Sequence, residues 1–444
     1  MTTYWLERAV LPEGIAERVR VREEGGSIVA VLPDLPAGAA DLRLPGLTFP
    51  GFANAHSHAF HRALRGTTHA DGGSFWTWRE AMYRLARRLT PESYRPLATA
   101  VFAEMVLAGF TAVGEFHYLH RTAGGGAYRD PTAMADAVLA AAADAGIRIT
   151  LLDTLYLHGG LDDEGTRLPA SPAQRRFVDP DLATWAARHR RLAPGPLARI
   201  GTAAHSVRAV DPDALAHLPG LLPEDEPVHA HVSEQPAENA QVAAAYGRTP
   251  LAVLADAGLV TDRFTAVHAT HLTDADVALL ADARATACIC PTTEADLADG
   301  IGPVRRLADR HVALALGTDE HVRIDPFEEL QRLEADQRLA SGERGRLSPG
   351  ALLAAATRSG YRSLGWRGGG AIEAGAPCDL VAVDPASPRT AGARPDQLHL
   401  TASAADVTDV VVGGTHVVTG GRHRLGDVGG LLADAIADLQ EDRA

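Results

Sequence analysis

Eight apolar, strand-like runs, each followed by an Ala- and Leu-rich stretch able to carry a helix, constrain this chain more than any other feature. In order they are LTFPGFANAHSH, FTAVGEFHY, RITLLDTLY, ARIGTAAHS, PVHAHVSE, FTAVHATH, ATACICP and VALALGTDE. Strands alternating with helices bury both faces of a parallel sheet, and eight such units close into a (β/α)8 TIM barrel. In that architecture chemistry sits where the C-terminal ends of the strands open into loops. Seven of the eight runs turn polar at that end, with His56 and His58, His117, Tyr156, His205, His231, His268 and Asp319 in turn.

The two ends of the chain read differently from its middle. Residues 1–48 hold short β-like runs such as RVRVRE and SIVAVLP, and residues 372–427 return to that pattern in CDLVAVD and DVVVGGTHVVTGG. This predicts an α/β protein in which both chain ends form one small β-sandwich domain beside a barrel spanning 49–371. From Val428 onward the apolar spacing is helical, so 428–444 is predicted as a C-terminal helix. The Gly-rich segment AGGGAYRD after the second run lacks the lysine of a phosphate cradle and is expected to be a flexible active-site loop.

Charge narrows the partners. A net charge of -14 repels phosphate backbones, which argues against nucleic acid or an anionic membrane as the main partner. No apolar run approaches the ~20 residues needed to span a bilayer, and the opening MTTYWLERAVLPEGI does not read as a secretory signal, so a cytoplasmic address is expected. All 42 basic residues are arginine, which excludes Schiff-base chemistry on lysine and metal bridges made by a carboxylated lysine. The three cysteines are too few and too scattered for a disulfide framework. Cys288 and Cys290, two apart, are expected on one strand face as small buried residues.

His56 and His58 alternate onto the barrel interior, close enough to share a metal. A His-x-His pair alone is weak evidence. Its weight rises when His231 and Glu234 stand at the fifth strand end, His268 at the sixth and Asp319 at the eighth. Imidazoles and a carboxylate converging on one mouth suit Zn²⁺, which lowers the pKa of a bound water to about 7. Glu234, three residues past His231, is placed to act as general acid and base, and His268 to orient or deprotonate the water along with Asp319. His229 also alternates with His231, but the spacing to Glu234 favours His231. His271 reads as structural, and His69, His120, His189, His217 and His311 as surface or structural residues, since none lies at a strand end.

The segments PGFANAHSHAFHRALRG, SFWTWREAMYRLA, EFHYLH, AAHSVRAV, HAHVSEQ, VHATH, PTTEADLADG and GTDEHV together resemble the amidohydrolase superfamily and, more narrowly, its N-formimidoyl-L-glutamate deiminases. That resemblance implies a barrel of the metal-dependent hydrolase type. It also implies an enzyme of histidine breakdown that hydrolyses a formimino carbon, releasing ammonia and leaving N-formyl-L-glutamate. It assigns one Zn²⁺ per subunit, with iron as the alternative metal, to His56, His58, His231 and Asp319, and proton handling to Glu234 and His268.

The implied substrate is a small dianion with a cationic amidine head. Arg79, Tyr118 and Arg208 match family positions that hold the glutamate moiety, and a bidentate arginine suits a carboxylate. His205 matches the residue that contacts the reacting group, where it could stabilise a tetrahedral intermediate. The chain departs from the family pattern at His61, where Gln is common, at Thr318, where Ser is common, and at Glu320, where a small polar residue is common. His61 can still bind substrate, with an altered pH dependence expected, whereas Glu320 is hard to reconcile with a dianion unless it points away. Deamination of another amidine, a guanidino acid or a nucleobase is the alternative chemistry, and a metal-free barrel used as a scaffold is the non-enzymatic one. The family and the exposed terminal β region point to a homodimer.

Overall fold

A computed structural model describes residues 1–69, 73 and 75–440. The strands are β1 (Thr2–Leu11), β2 (Gly14–Glu24), β3 (Ser27–Leu32), β4 (Leu42–Pro50), β5 (Phe52–Ser57), β6 (Phe110–His117), β7 (Arg148–Leu155), β8 (Gly160–Leu161) and β9 (Arg167–Leu168). They continue as β10 (Ala198–Ala204), β11 (Val228–Val232), β12 (Phe264–His268), β13 (Thr286–Ile289), β14 (Ala313–Leu316), β15 (Leu380–Val383), β16 (Val407–Val412), β17 (Thr415–Thr419) and β18 (Arg422–His423).

The eight runs of the sequence pattern supply β5, β6, β7, β10, β11, β12, β13 and β14, which pair side by side in parallel in that order. Both faces are covered, so β6 and β7 are buried along their whole length. The barrel closes at its C-terminal mouth. Thr318 N and Asp319 N both donate to His56 O, at 3.1 and 3.0 Å, and His58 N donates to Asp319 O at 3.2 Å.

The terminal strands form one hydrogen-bonded sheet in the order β18-β17-β16-β15-β4-β1-β2-β3, antiparallel throughout except for β1 beside β4. Its ladder is continuous, so the β region predicted from both chain ends is a single mixed sheet. Alternation sets its buried face: Val19 and Val21 are fully buried, whereas the arginines at 20 and 22 are not. The first apolar run divides between the two sheets. Leu47–Pro50 pairs with β15, the barrel begins at Phe52, and the chain passes between them at Gly51, where a Cβ would lie 2.0 Å from Thr111 Oγ1. Only glycine fits that crossing.

A buried ion pair ties the sheets together. Arg148, at the start of β7, donates to Asp379 from Nε at 2.6 Å and from Nη2 at 3.2 Å, and Tyr361 Oη donates to the same carboxylate at 2.6 Å. The last helix, Val428–Gln440, places Leu432, Ala435 and Leu439 in the core, and residues 441–444 of the predicted helix lie outside the described residues. No helix of the described residues is long and apolar enough to cross a membrane.

A second polar cluster lies under the barrel wall. His189, on the helix Leu182–His189, places Nδ1 3.3 Å from Asp153 and Nε2 3.1 Å from Glu226. Burial would lower its pKa, but the two carboxylates raise it to about 9. A folded pKa above the unfolded value of 6.5 means that the charged pairing stabilises the fold fully below about pH 6.5 and fades as pH rises toward 9. Melting curves between pH 6 and 9.5 are therefore expected to show a loss on the order of 2–3 kcal/mol. A His189→Gln variant is expected to flatten that slope; an unchanged slope would show that the charge sits elsewhere.

Candidate active site

His56 and His58 alternate off the end of β5, and both rings are buried. His231 leaves β11, His268 ends β12, and Asp319 follows β14. His58 Nδ1 lies 3.0 Å from Phe116 O, and His231 Nδ1 lies 3.0 Å from His205 O. A carbonyl only accepts, so both Nδ1 atoms carry the proton and both Nε2 atoms present a bare lone pair. Those lone pairs converge. His231 Nε2 is 3.2 Å from His56 Nε2, and Asp319 Oδ1 is 3.2 Å from His56 Nε2 and 3.4 Å from His58 Nε2.

The bare nitrogens of His58 and His231 and the Asp319 carboxylate are all electron-pair donors gathered around His56 in a buried site, an arrangement that a cation among them satisfies. Donors each about 2.1 Å from a tetrahedral Zn²⁺ stand about 3.4 Å apart, which matches the spacing found. The residues therefore fit a single divalent ion.

His268 lies beside this cluster. Its Nε2 is 3.7 Å from Glu234 Oε1 and 3.9 Å from Asp319 Oδ2, while Nδ1 faces Glu294 Oε1 at 3.5 Å. Burial opposes its charge, but the carboxylates of Glu234, Glu294 and Asp319 outweigh burial and hold its pKa well above the usual value. His268 (φ 66°), Ser233 (φ 53°) and Asp319 (φ 40°) all adopt left-handed backbone conformations. Non-glycine residues keep such conformations only where the surroundings enforce them.

A cavity of about 430 Å³ opens over the cluster, and the expected ligand, proton-handling and substrate-binding residues line it, except for the fully buried His56. Arg79 enters from the helix Phe75–Ala86, where Nε donates to Tyr83 Oη at 2.5 Å and the guanidinium lies over the Tyr83 ring. Ser74 and the side chains of Phe75 and Trp76, in the same family-like segment, lie outside the described residues. Arg208 enters from the opposite run of chain, with Nη2 4.0 Å from Glu234 and 3.9 Å from Glu238. Its Nε is buried without a hydrogen-bond partner. His205 is held neutral, first by burial and then by Arg208 and Arg79.

The three departures from the family pattern resolve individually. His61 Nε2 lies 3.0 Å from Tyr118 Oη, and burial lowers its pKa to about 3. It stays neutral near pH 7, so the pH dependence expected of it does not arise there. Glu320 is absent from the cavity wall, and burial together with Asp319 and Asp296 pushes its pKa up to about 10. It lies outside the cavity wall and is held uncharged near neutrality. Thr318 is likewise outside the wall and is bonded to Asn54 and His321.

Other expectations change. AGGGAYRD does not reach the cavity, because its turn is closed by Thr122 and Arg121 and packs Gly125 on Arg175. The hairpin of β8 and β9 lines the cavity in its place. His117 is buried outside the wall, although its strand end is polar. His229 turns to Ser363 O at 2.9 Å, and His271 to Asp299 O at 2.8 Å. Cys288 and Cys290 are free and buried. Sequence reasoning missed Tyr83, although its spacing of four from Arg79 puts both on one helix face. It also missed Trp78 and Glu294, although both lie in segments that carry the family resemblance, and Phe177, which carries no local signal.

Residues 47–417 match the model of the amidohydrolase family. The chain is 39% identical to formimidoylglutamate deiminase of Pseudomonas aeruginosa over 440 residues, covering 95% of this chain and 96% of that protein. It superposes on the crystal structure of an amidohydrolase from Brucella melitensis with a TM-score of 0.91, at 36% identity, covering 99% of this chain and 100% of the other. An adenosine deaminase of Xanthomonas campestris, solved with zinc bound, gives a TM-score of 0.83 at 27% identity, covering 98% and 97%. The fold, a parallel barrel with a second sheet from both chain ends, is shared with these solved structures, and the chain is a member of the amidohydrolase family and a homologue of formimidoylglutamate deiminase.

Proposed function

We propose that this protein hydrolyses N-formimidoyl-L-glutamate to N-formyl-L-glutamate and ammonia, with one zinc ion per subunit held by His56, His58, His231 and Asp319. The observation that carries this reading is that two arginines, Arg79 and Arg208, line the cavity whose floor is the His/Asp cluster. A neutral nucleobase needs no such pair, whereas a substrate with two carboxylates does.

The zinc ion would act as a Lewis acid and bring the pKa of the attacking water toward about 7. Asp319 takes a proton from the water as it adds to the formimino carbon, and the protonated His268, 3.9 Å from Asp319 and 3.7 Å from Glu234, relays a proton from the one carboxylate to the other. Glu234, within reach of His268, delivers a proton to the departing nitrogen, and ammonia leaves as the carbonyl forms. His205, neutral and on the cavity wall, contacts the reacting group. Arg79, Arg208, Tyr118 and His61 bind the glutamate moiety. A homodimer is part of the same proposal.

The test is ammonia release by zinc-loaded protein from N-formimidoyl-L-glutamate, with N-guanidino-glutamate, adenosine and free nucleobases in parallel. Release from the formimino compound alone is expected. A metal-replete preparation that leaves it untouched while deaminating a nucleoside or guanidino acid would replace the substrate and keep the chemistry.

A further inference from the structure

Five buried side chains outside the cavity wall form one hydrogen-bonded chain across the seam where the barrel closes. Ser57 Oγ donates to Glu115 Oε2 at 2.6 Å, while Glu115 Oε1 accepts from Ala59 N at 2.7 Å and from Tyr94 Oη at 3.1 Å. With its proton given to Glu115, Ser57 Oγ can only accept from His321 Nε2, 3.1 Å away. His321 Nδ1 is then bare and accepts from Thr318 Oγ1 at 2.8 Å. Thr318 Oγ1 in turn accepts from Asn54 Nδ2 at 2.6 Å, and Thr318 N donates to Asn54 Oδ1 at 3.0 Å. One assignment of protons satisfies the whole chain.

The chain joins two halves of the metal site. Ser57 stands between His56 and His58, and Thr318 immediately precedes Asp319. Asp319 (φ 40°) and His321 (φ 60°) both hold left-handed backbone that needs outside support. Arg65 adds to that support through Nε, which donates to His321 O at 2.6 Å while its Nη1 pairs with Glu104 at 2.6 Å.

We propose that the Glu115–Ser57–His321–Thr318–Asn54 chain is a clasp that sets metal retention, fixing Asp319 against the His-x-His strand so that the donors stay at ligand spacing. This rests on the metal reading given above. It also accounts for Thr318: the clasp needs a hydroxyl there, which threonine and serine both supply.

The test measures zinc release from the full-length protein into excess chromophoric chelator, with circular dichroism to confirm folding. Thr318→Val and Ser57→Ala are expected to release zinc roughly 10- to 100-fold faster, the range for losing a partner of a metal ligand. KM for N-formimidoyl-L-glutamate should move less than about threefold, because no clasp residue lines the cavity. Thr318→Ser should release zinc within about threefold of the parent, and the Ser57→Ala, Thr318→Val double variant should be no faster than the quicker single variant, since both break one chain. Parent-like release from both Thr318→Val and Ser57→Ala would overturn the clasp. A parent protein that binds no zinc would overturn the metal reading, and the clasp with it.

Discussion

Glu234→Gln is expected to keep its zinc and lose its turnover. Glutamine preserves the shape of the side chain but cannot carry a proton between water and leaving group, and general acid–base catalysis of this kind contributes about 10²–10⁴-fold. A fall in kcat of about 10³-fold is expected. The metal should stay because the proposed ligands are His56, His58, His231 and Asp319, whereas Glu234 is not one of them and its nearest charged partner is His268, 3.7 Å from its Nε2. Zinc content measured on the same preparation separates the two effects. Near-normal turnover at full zinc occupancy would remove Glu234 from the mechanism.

The second large effect is expected at Arg208. Methionine keeps much of the stem but removes the guanidinium. Truncating one partner of a buried charge-assisted contact costs about 2–5 kcal/mol, or roughly 30- to 4000-fold in kcat/KM. For a dianionic substrate most of that loss should appear as a raised KM, because the clamp holds ground state and transition state alike. A smaller fall in kcat should accompany it, since Arg208 also lies near Glu234 and Glu238. Unaltered kinetics would mean that no carboxylate reaches this arginine, and the search would turn to neutral bases.

Much of the fold was legible because its signals are local. Eight apolar runs in helical surroundings specify eight buried parallel strands, and a polar residue after the last apolar one marks the mouth of the barrel. His56 and His58 follow from a period of two along one strand. The resemblance to a known family then named Arg79, Tyr118, His205 and Arg208, and the cavity gathers all four.

The residues that were not legible depend on contacts between distant parts of the chain. Polarity marked the end of β6, yet His117 turns away from the cavity while Tyr118, one position on, lines it. A glycine-rich composition suggested a mobile loop at AGGGAYRD, yet Arg175 and the turn's own hydrogen bonds hold it elsewhere. Glu320 read as a charge beside the substrate, and only its burial, with Asp319 and Asp296 close by, shows that it is held neutral outside the cavity wall. Ser57 and His321 are 264 residues apart, as are Asn54 and Thr318. Strand identity, strand order and the types of residue at the barrel mouth were determined by the sequence alone, since each follows from neighbours within a few positions. Which way each mouth residue faces, its protonation and the seam that fixes Asp319 were decided by the tertiary structure. Burial and electrostatic contact are properties of groups brought together across the whole fold.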